Sequence, residues 1–160
     1  MIVRPAVVFD CNIYVQSMLN SRGPAAQCFL AFRRSELRLI VSPVVIAEIN
    51  ALPSHPDLRR FPSISRARVD ELIATILAGA ILIPDALNRF ELPRDPDDAH
   101  YVNLALAAGA TLIVSRDNDL LDLMNPNRPD GRDFLARFAQ LRILRPDELL
   151  IELRRDNPTP

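Results

Sequence analysis

The chain is expected to fold as a doubly wound, three-layer α/β/α sandwich on a mostly parallel, five-stranded sheet. Three observations lead there. Short apolar runs alternate with segments of helical periodicity along nearly the whole chain, which is the pattern of parallel strands joined by helical crossovers. Serine, proline and glycine punctuate those segments where helix caps, first turns and stops favour them. The length, 160 residues, suits one domain whose core needs no disulfide or metal staple. Residues 1–154 are assigned to that domain and residues 155–160 to a frayed tail.

Residues 6–10 are an apolar run that reads as a fully buried strand. Residues 13–19 and 24–34 read as helices, broken by Ser21-Arg22-Gly23, with Pro24 at a first helical position. Residues 39–41 form the second strand. Ser42-Pro43 starts the helix that carries residues 44–50. The stretch 52–63 holds three prolines and reads as a loop. Residues 65–78 form an amphipathic helix, with Val69, Leu72, Ile73, Ile76 and Leu77 at helical spacing and Gly79 as its stop. Residues 81–83 are the third strand and 84–94 a connector. Asp95-Pro96 opens a helix that reaches Ala108 and ends at Gly109. Residues 111–114 are the fourth strand, 119–124 a short helix and 125–132 a polar loop. Residues 142–144 are a fifth strand at the sheet edge, and 147–154 the last helix after Pro146.

Composition narrows the function. Apolar residues make up 49% of the chain, which excludes a disordered segment. No apolar run is long enough to span a bilayer, and the N-terminus lacks a signal-peptide pattern. Cys11 and Cys28 have no metal-ligand spacing and fit a reduced, cytoplasmic setting. A net charge of −1 carries no bulk signature of a nucleic-acid binder. All 19 basic residues are arginine, so any mechanism that needs a lysine is excluded.

In a doubly wound sheet the functional crevice lies beyond the carboxyl ends of the strands, and acids stand there. Asp10 follows the apolar Val7-Val8-Phe9; it either caps the next helix or belongs to a site. Glu48 lies within Val44-Val45-Ile46-Ala47-Glu48-Ile49, too deep in its helix to cap it. It is therefore either a rim residue paired with an arginine or a carboxylate that needs a cation or donors. Asp98 ends Asp95-Pro96-Asp97-Asp98, where one cap does not account for three acids in four residues. Asp117 follows the fourth strand and is itself a candidate cap. Four acids facing one crevice are the hard oxygen donors that Mg²⁺ or Mn²⁺ prefers. With no histidine or cysteine cluster, Zn²⁺ is disfavoured. His55 and His100 lack partners at ligand spacing and read as structural or solvated, with His100 at most tuning the site. Such a pocket, loaded with divalent ions, suits phosphodiester hydrolysis.

These residues have a family likeness. Val8-Phe9-Asp10-Cys11-Asn12 resembles the opening Asp-Thr-Asn motif of PIN-domain nucleases, with cysteine where threonine is usual. Ser42-Pro43-Val44-Val45-Ile46-Ala47-Glu48-Ile49 resembles the second block of that family. Asp95-Pro96-Asp97-Asp98 with Ala105-Leu106-Ala107-Ala108-Gly109-Ala110 resembles the third, and Ile113-Val114-Ser115-Arg116-Asp117-Asn118-Asp119-Leu120-Leu121 the fourth. Leu144-Arg145-Pro146-Asp147-Glu148-Leu149-Leu150 is similar to the closing strand and helix. The blocks follow in order over nearly the whole chain and most resemble the bacterial subgroup of toxins from toxin–antitoxin pairs. The resemblance implies the α/β/α fold, Mg²⁺ or Mn²⁺ dependence, endoribonuclease activity on RNA, a small antitoxin partner and often a homodimer. It makes Asp10, Glu48, Asp98 and Asp117 the metal-binding and catalytic acids. Asn12 and Ser115, with Asp119 beside them, become the groups that orient carboxylates or water.

Substrate contacts are expected from arginine, whose fork matches phosphate. Arg116 beside Asp117 is the best single candidate. Arg59, Arg60, Arg66 and Arg68 form either an RNA or acidic-partner surface or a plain solvated face. Tyr14 and Phe61 are candidates for base stacking, with core packing the other role for Phe61. Two further readings remain: a PIN-like binding or scaffold module without activity, and a phosphate-handling receiver or aspartate phosphatase. The last two ordinarily hold their phosphoryl group with lysine, which this chain lacks.

Overall fold

The central strand β1, Ala6–Phe9, is buried along its entire length. Its Val-Val-Phe sequence suits a strand covered on both faces, where no alternation with polar residues is possible. The structure, a computed structural model describing residues 4–158, places β1 in a five-stranded sheet. The other strands are β2 (Arg38–Val41), β3 (Ile81–Leu82), β4 (Leu112–Val114) and β5 (Arg142–Leu144). Their order is β3-β2-β1-β4-β5, and all four pairings are parallel, so the expected mostly parallel sheet is wholly parallel. Chain order reverses at β1, which is the switch point where a crevice opens.

Helices flank the sheet: α1 (Cys11–Leu19), α2 (Pro24–Arg33), α3 (Pro43–Ala51), α4 (Arg66–Gly79), α5 (Ala99–Ala108), α6 (Asn118–Leu121), α7 (Pro129–Arg137) and α8 (Pro146–Asp156). The Ser42 side chain accepts from the Val45 N–H at 3.2 Å, as its place before Pro43 predicts. Gly109 closes α5 in the left-handed conformation at φ 65°, which only glycine adopts without strain. Helix α5 packs across β1, β2 and β4. No described helix is long and apolar enough to cross a membrane.

Several boundaries differ from the sequence expectation. The segment 125–132 is not wholly a loop: α7 begins at Pro129. Its Asn, Pro and Gly content hides a helix whose first residue is proline and whose Gly131 approaches the preceding turn closely. A Cβ there would stand 2.0 Å from the Asn125 carbonyl oxygen. Phe134 and Phe138 then close an aromatic cluster on Phe90, with centroids 5.2 and 6.0 Å from the Phe90 ring. The helix after Asp95 starts later than expected, because Pro96–Asp98 is a 3-10 turn and α5 begins at Ala99. Strand β3 spans two residues and leaves both exposed. Helix α8 continues through Arg155 and Asp156, beyond the expected frayed end; residues 159–160 of that tail lie outside the described residues.

Between β3 and α5 the chain runs as a long connector with little regular structure, and one buried side chain pins it. Asn103 on α5 accepts from the Arg89 and Phe90 N–H groups at 2.8 and 2.9 Å. Its amide donates to the Phe90 carbonyl at 3.1 Å and to Asn88 Oδ1 at 3.2 Å. Phe90 and Leu92 are thereby held in the core, and the following Arg94 and Asp95 arrive at the sheet end in a set position. Replacing Asn103 with Ala strands buried backbone donors, each costing about 1–3 kcal/mol. Urea denaturation of Asn103→Ala should show a loss of at least about 2 kcal/mol, and a loss under about 0.5 kcal/mol would show that the connector is held some other way.

Candidate active site

The β1–β4 register sets Phe9 against Val114, so the next residues, Asp10 and Ser115, meet at the sheet end. The Asp10 N–H donates to the Val114 carbonyl at 3.1 Å. Its side chain is buried. One carboxylate oxygen accepts from the Asn12 N–H at 2.7 Å, and the other accepts from the Ser115 hydroxyl. Ser115 Oγ accepts in turn from the Asp117 N–H at 2.9 Å. Asp117 then caps α6, accepting from the Asp119 N–H at 2.8 Å. The capping roles anticipated for Asp10 and Asp117 are therefore real, but each occupies one carboxylate oxygen.

Asp98 has no capping role. It stands at the head of α5 with no backbone N–H on its side chain. Its carboxyl instead meets that of Asp117. Burial, followed by the hydrogen bond to Asp117 and the charges of Asp95, Asp117 and Asp10, pushes Asp98 up to about 8. Burial also raises Asp10 to about 6, helped by the charge of Asp117 and opposed by the bonds from Ser115 and Asn12. Burial and mutual repulsion thus oppose their ionising together.

Glu48 approaches from α3. It is half-buried, and its partners are not arginines. Tyr101 donates its hydroxyl to Glu48 Oε2 at 3.0 Å, while that hydroxyl accepts from the Cys11 N–H at 2.9 Å. His100 Nε2 lies 2.7 Å from Glu48 Oε1, close enough for an ion pair but without hydrogen-bond alignment. The His100 and Tyr101 rings are 3.9 Å apart. Cys11 lies among the acids: burial first, then the charges of Glu48, Asp10 and Asp98, push its thiol up to about 12. His100 is thus neither solvated nor a bystander. Tyr101 was not foreseen, because a tyrosine amid apolar helix residues reads as core; only its place three residues after Asp98 hinted at a site.

A second group of acids adjoins the first. One carboxylate oxygen from each of Asp95, Asp117 and Asp119 lies within 4.8 Å of the others, whereas Asp97 is exposed. Arg94 faces this group, with its guanidinium 2.7 Å from Asp119 and 2.9 Å from Asp122. Oxygen donors of this hardness fit Mg²⁺ or Mn²⁺, and carboxyls that retain protons are relieved when a divalent cation arrives.

The arginines are less gathered. Arg116, Arg59 and Arg60 are exposed, and Arg60 lies over the Phe61 ring at 4.8 Å. Arg66 is committed to structure, donating to the Asn50 carbonyl and side chain at 2.8 and 2.9 Å and to Asp70 at 2.8 Å. Tyr14 is wholly buried, with its ring 5.8 Å from Phe9 and its hydroxyl unpartnered. It cannot stack on a base, because the α1 face that carries it is packed into the core.

A five-stranded parallel sheet with an acid crevice at its switch point is the frame of a known class. The PIN domain family model matches residues 6–119, and the chain belongs to that family. It is similar to an uncharacterized protein of Methanocaldococcus jannaschii, with 24% identity over 149 residues, 86% of this chain and 94% of that one. Its fold is similar to that in the crystal structure of VapBC2 from Rickettsia felis bound to a DNA fragment from their promoter. There the TM-score is 0.52 at 12% identity, over 88% of this chain and 98% of the other.

The raised carboxyls set a pH dependence. Asp10 and Asp98 keep protons that an unfolded aspartate releases near pH 4. Their favourable contribution to metal-free stability is complete below that pH. It is lost as the pH rises through about 6 for Asp10 and about 8 for Asp98. At pH 7.5 without metal, Asp98→Asn should melt above wild type, by roughly 2–4 °C for each kcal/mol of repulsion relieved. Millimolar Mn²⁺ should reverse that order. A lower melting temperature for the metal-free variant would show that the acids do not oppose one another.

Proposed function

We propose that this PIN-domain chain is a metal-dependent endoribonuclease that hydrolyses RNA phosphodiester bonds. One observation carries the reading: Asp10, Asp98 and Asp117 converge at the ends of β1 and β4, and two of them are held toward the protonated state. A structural cluster of this kind gains nothing from mutual repulsion, whereas a cation site does.

Asp10, Asp98, Asp117 and Glu48 are the groups that would hold Mg²⁺ or Mn²⁺. When bound, such ions activate a water and stabilise the leaving oxygen. The remaining work belongs to the chain. Ser115 fixes one Asp10 oxygen and the Asp117 backbone together. The Tyr101 hydroxyl, itself held by the Cys11 N–H, donates to Glu48 Oε2 and would orient that carboxylate toward the ion. Asn12, exposed beside Asp10, and the exposed Arg116 next to Asp117 in sequence are the proposed phosphate contacts. No residue set supports base-specific readout.

The biological role follows the family likeness: a cytoplasmic toxin of a toxin–antitoxin pair, inhibited by a small antitoxin and able to form a homodimer. The fold shared with VapBC2 supports this assignment at the level of architecture. Incubation with single-stranded RNA and Mn²⁺ should yield cleavage that EDTA abolishes. Asp10→Asn should lower the rate more than about 100-fold, beyond the 10–100-fold that loss of an outer partner costs. Equal residual cleavage by wild type and Asp10→Asn would reject the nuclease and favour an inactive binding module.

A further inference from the structure

The Arg94 guanidinium is paired with the acid group that adjoins the crevice. It reaches Asp119 at 2.7 Å through one nitrogen, and Asp122 at 2.9 Å and Asp130 at 3.9 Å through another. Arg128 completes the group, 3.9 Å from Asp122 and 3.2 Å from Asp130. Two arginines thus sit among three carboxylates, and the planar fork of Arg94 spans two of them. A lone surface pair would carry little weight. This one is placed by the scaffold instead. Arg94 follows Leu92, which is buried, and the Asp95 N–H donates to the Leu92 carbonyl at 3.2 Å. The connector that brings it is pinned by Asn103.

Asp119 is the shared member. It belongs to the Asp95, Asp117 and Asp119 oxygen group, and its N–H is bound to Asp117. One of its two carboxylate oxygens, Oδ1, is however engaged by Arg94. Asp10, Asp98 and Asp117 are in no described ion pair with arginine. We infer that Arg94 is an internal counter-cation that withholds Asp119 from the divalent ion and confines metal to the Asp10, Asp98 and Asp117 side of the crevice. This rests on the metal-site reading proposed above and adds which acids are excluded from it. The device lets the crevice hold six acids without a second metal ion, and ties α6 and α7 to the connector whether or not metal is bound.

The test is calorimetric titration of Mn²⁺ into the metal-free full chain, which needs no RNA and no turnover. Asp119→Asn alone should change Mn²⁺ affinity less than about twofold, because the pairing of its Oδ1 with Arg94 holds that carboxylate away from the ion. Arg94→Gln should tighten binding at least about fivefold, within the coupling range of neighbouring groups. The Arg94→Gln/Asp119→Asn double variant should lose that gain. A through-space effect of the arginine charge would instead make Asp119→Asn cost the same in both backgrounds, which overturns the inference. A tenfold loss from Asp119→Asn alone also overturns it, and that single variant decides the matter should Arg94→Gln fail to fold. Wild-type binding unchanged by Arg94→Gln removes the counter-cation role and leaves the metal site standing. No binding by any variant removes the metal site itself and this inference with it.

Discussion

A carboxylate withdrawn from water at the end of the central strand is the constraint on which the rest of the site depends. Asp10 is buried where β1 leaves the sheet, and an ion in that position is costly unless donors or a cation meet it. The chain supplies two donors, the Asn12 N–H and the Ser115 hydroxyl. It then sets the carboxyls of Asp117 and Asp98 nearby rather than a basic side chain. Donors fix where the carboxylate points; they do not satisfy its charge. The carboxyl is therefore held toward its protonated form, which is the state a cation would displace under the proposed function.

The fold meets this constraint through register and through one helix. Pairing of Phe9 with Val114 places Ser115 against Asp10, and a slip of one residue would turn that hydroxyl to the other face. Helix α5 serves both sides of the crevice from its first turn. Asp98 at its head meets Asp117, while Tyr101 holds Glu48 by a hydrogen bond and His100 lies against it. Farther along the same helix, Asn103 secures the connector that delivers Arg94 and Asp95. A single helix thus carries an acid, the residues that aim another acid, and the anchor for the cation at the rim.

Much of this was legible in the residues. Val7-Val8-Phe9 and Leu112-Ile113-Val114 read as buried strands because nothing polar interrupts them, and Ser42-Pro43 marked a helix start that the structure keeps. Asp10, Asp98 and Asp117 were singled out by their place after strands or before a strand-leading helix. What escaped depends on tertiary contact. Helix α7 hid in a Pro, Asn and Gly stretch because its helicity comes from packing Phe134 and Phe138 on Phe90, not from propensity. Tyr101 looked apolar, and its hydroxyl acquires meaning only when α3 brings Glu48 beside it. Tyr14 looked available for stacking, yet it is covered by Phe9 and Phe29. The pairing of Arg94 with Asp119, Asp122 and Asp130 joins residues 25–36 positions apart, beyond any local pattern.

The most direct test of the account is the position of the ion itself. Crystals soaked in Mn²⁺ and measured at its absorption edge should show an anomalous peak bound by carboxylate oxygens of Asp10, Asp98 and Asp117, at the roughly 2.0–2.2 Å expected of a small hard cation. A peak on Asp95 and Asp119 with none beside Asp10, or no peak in the crevice at saturating Mn²⁺, would contradict it.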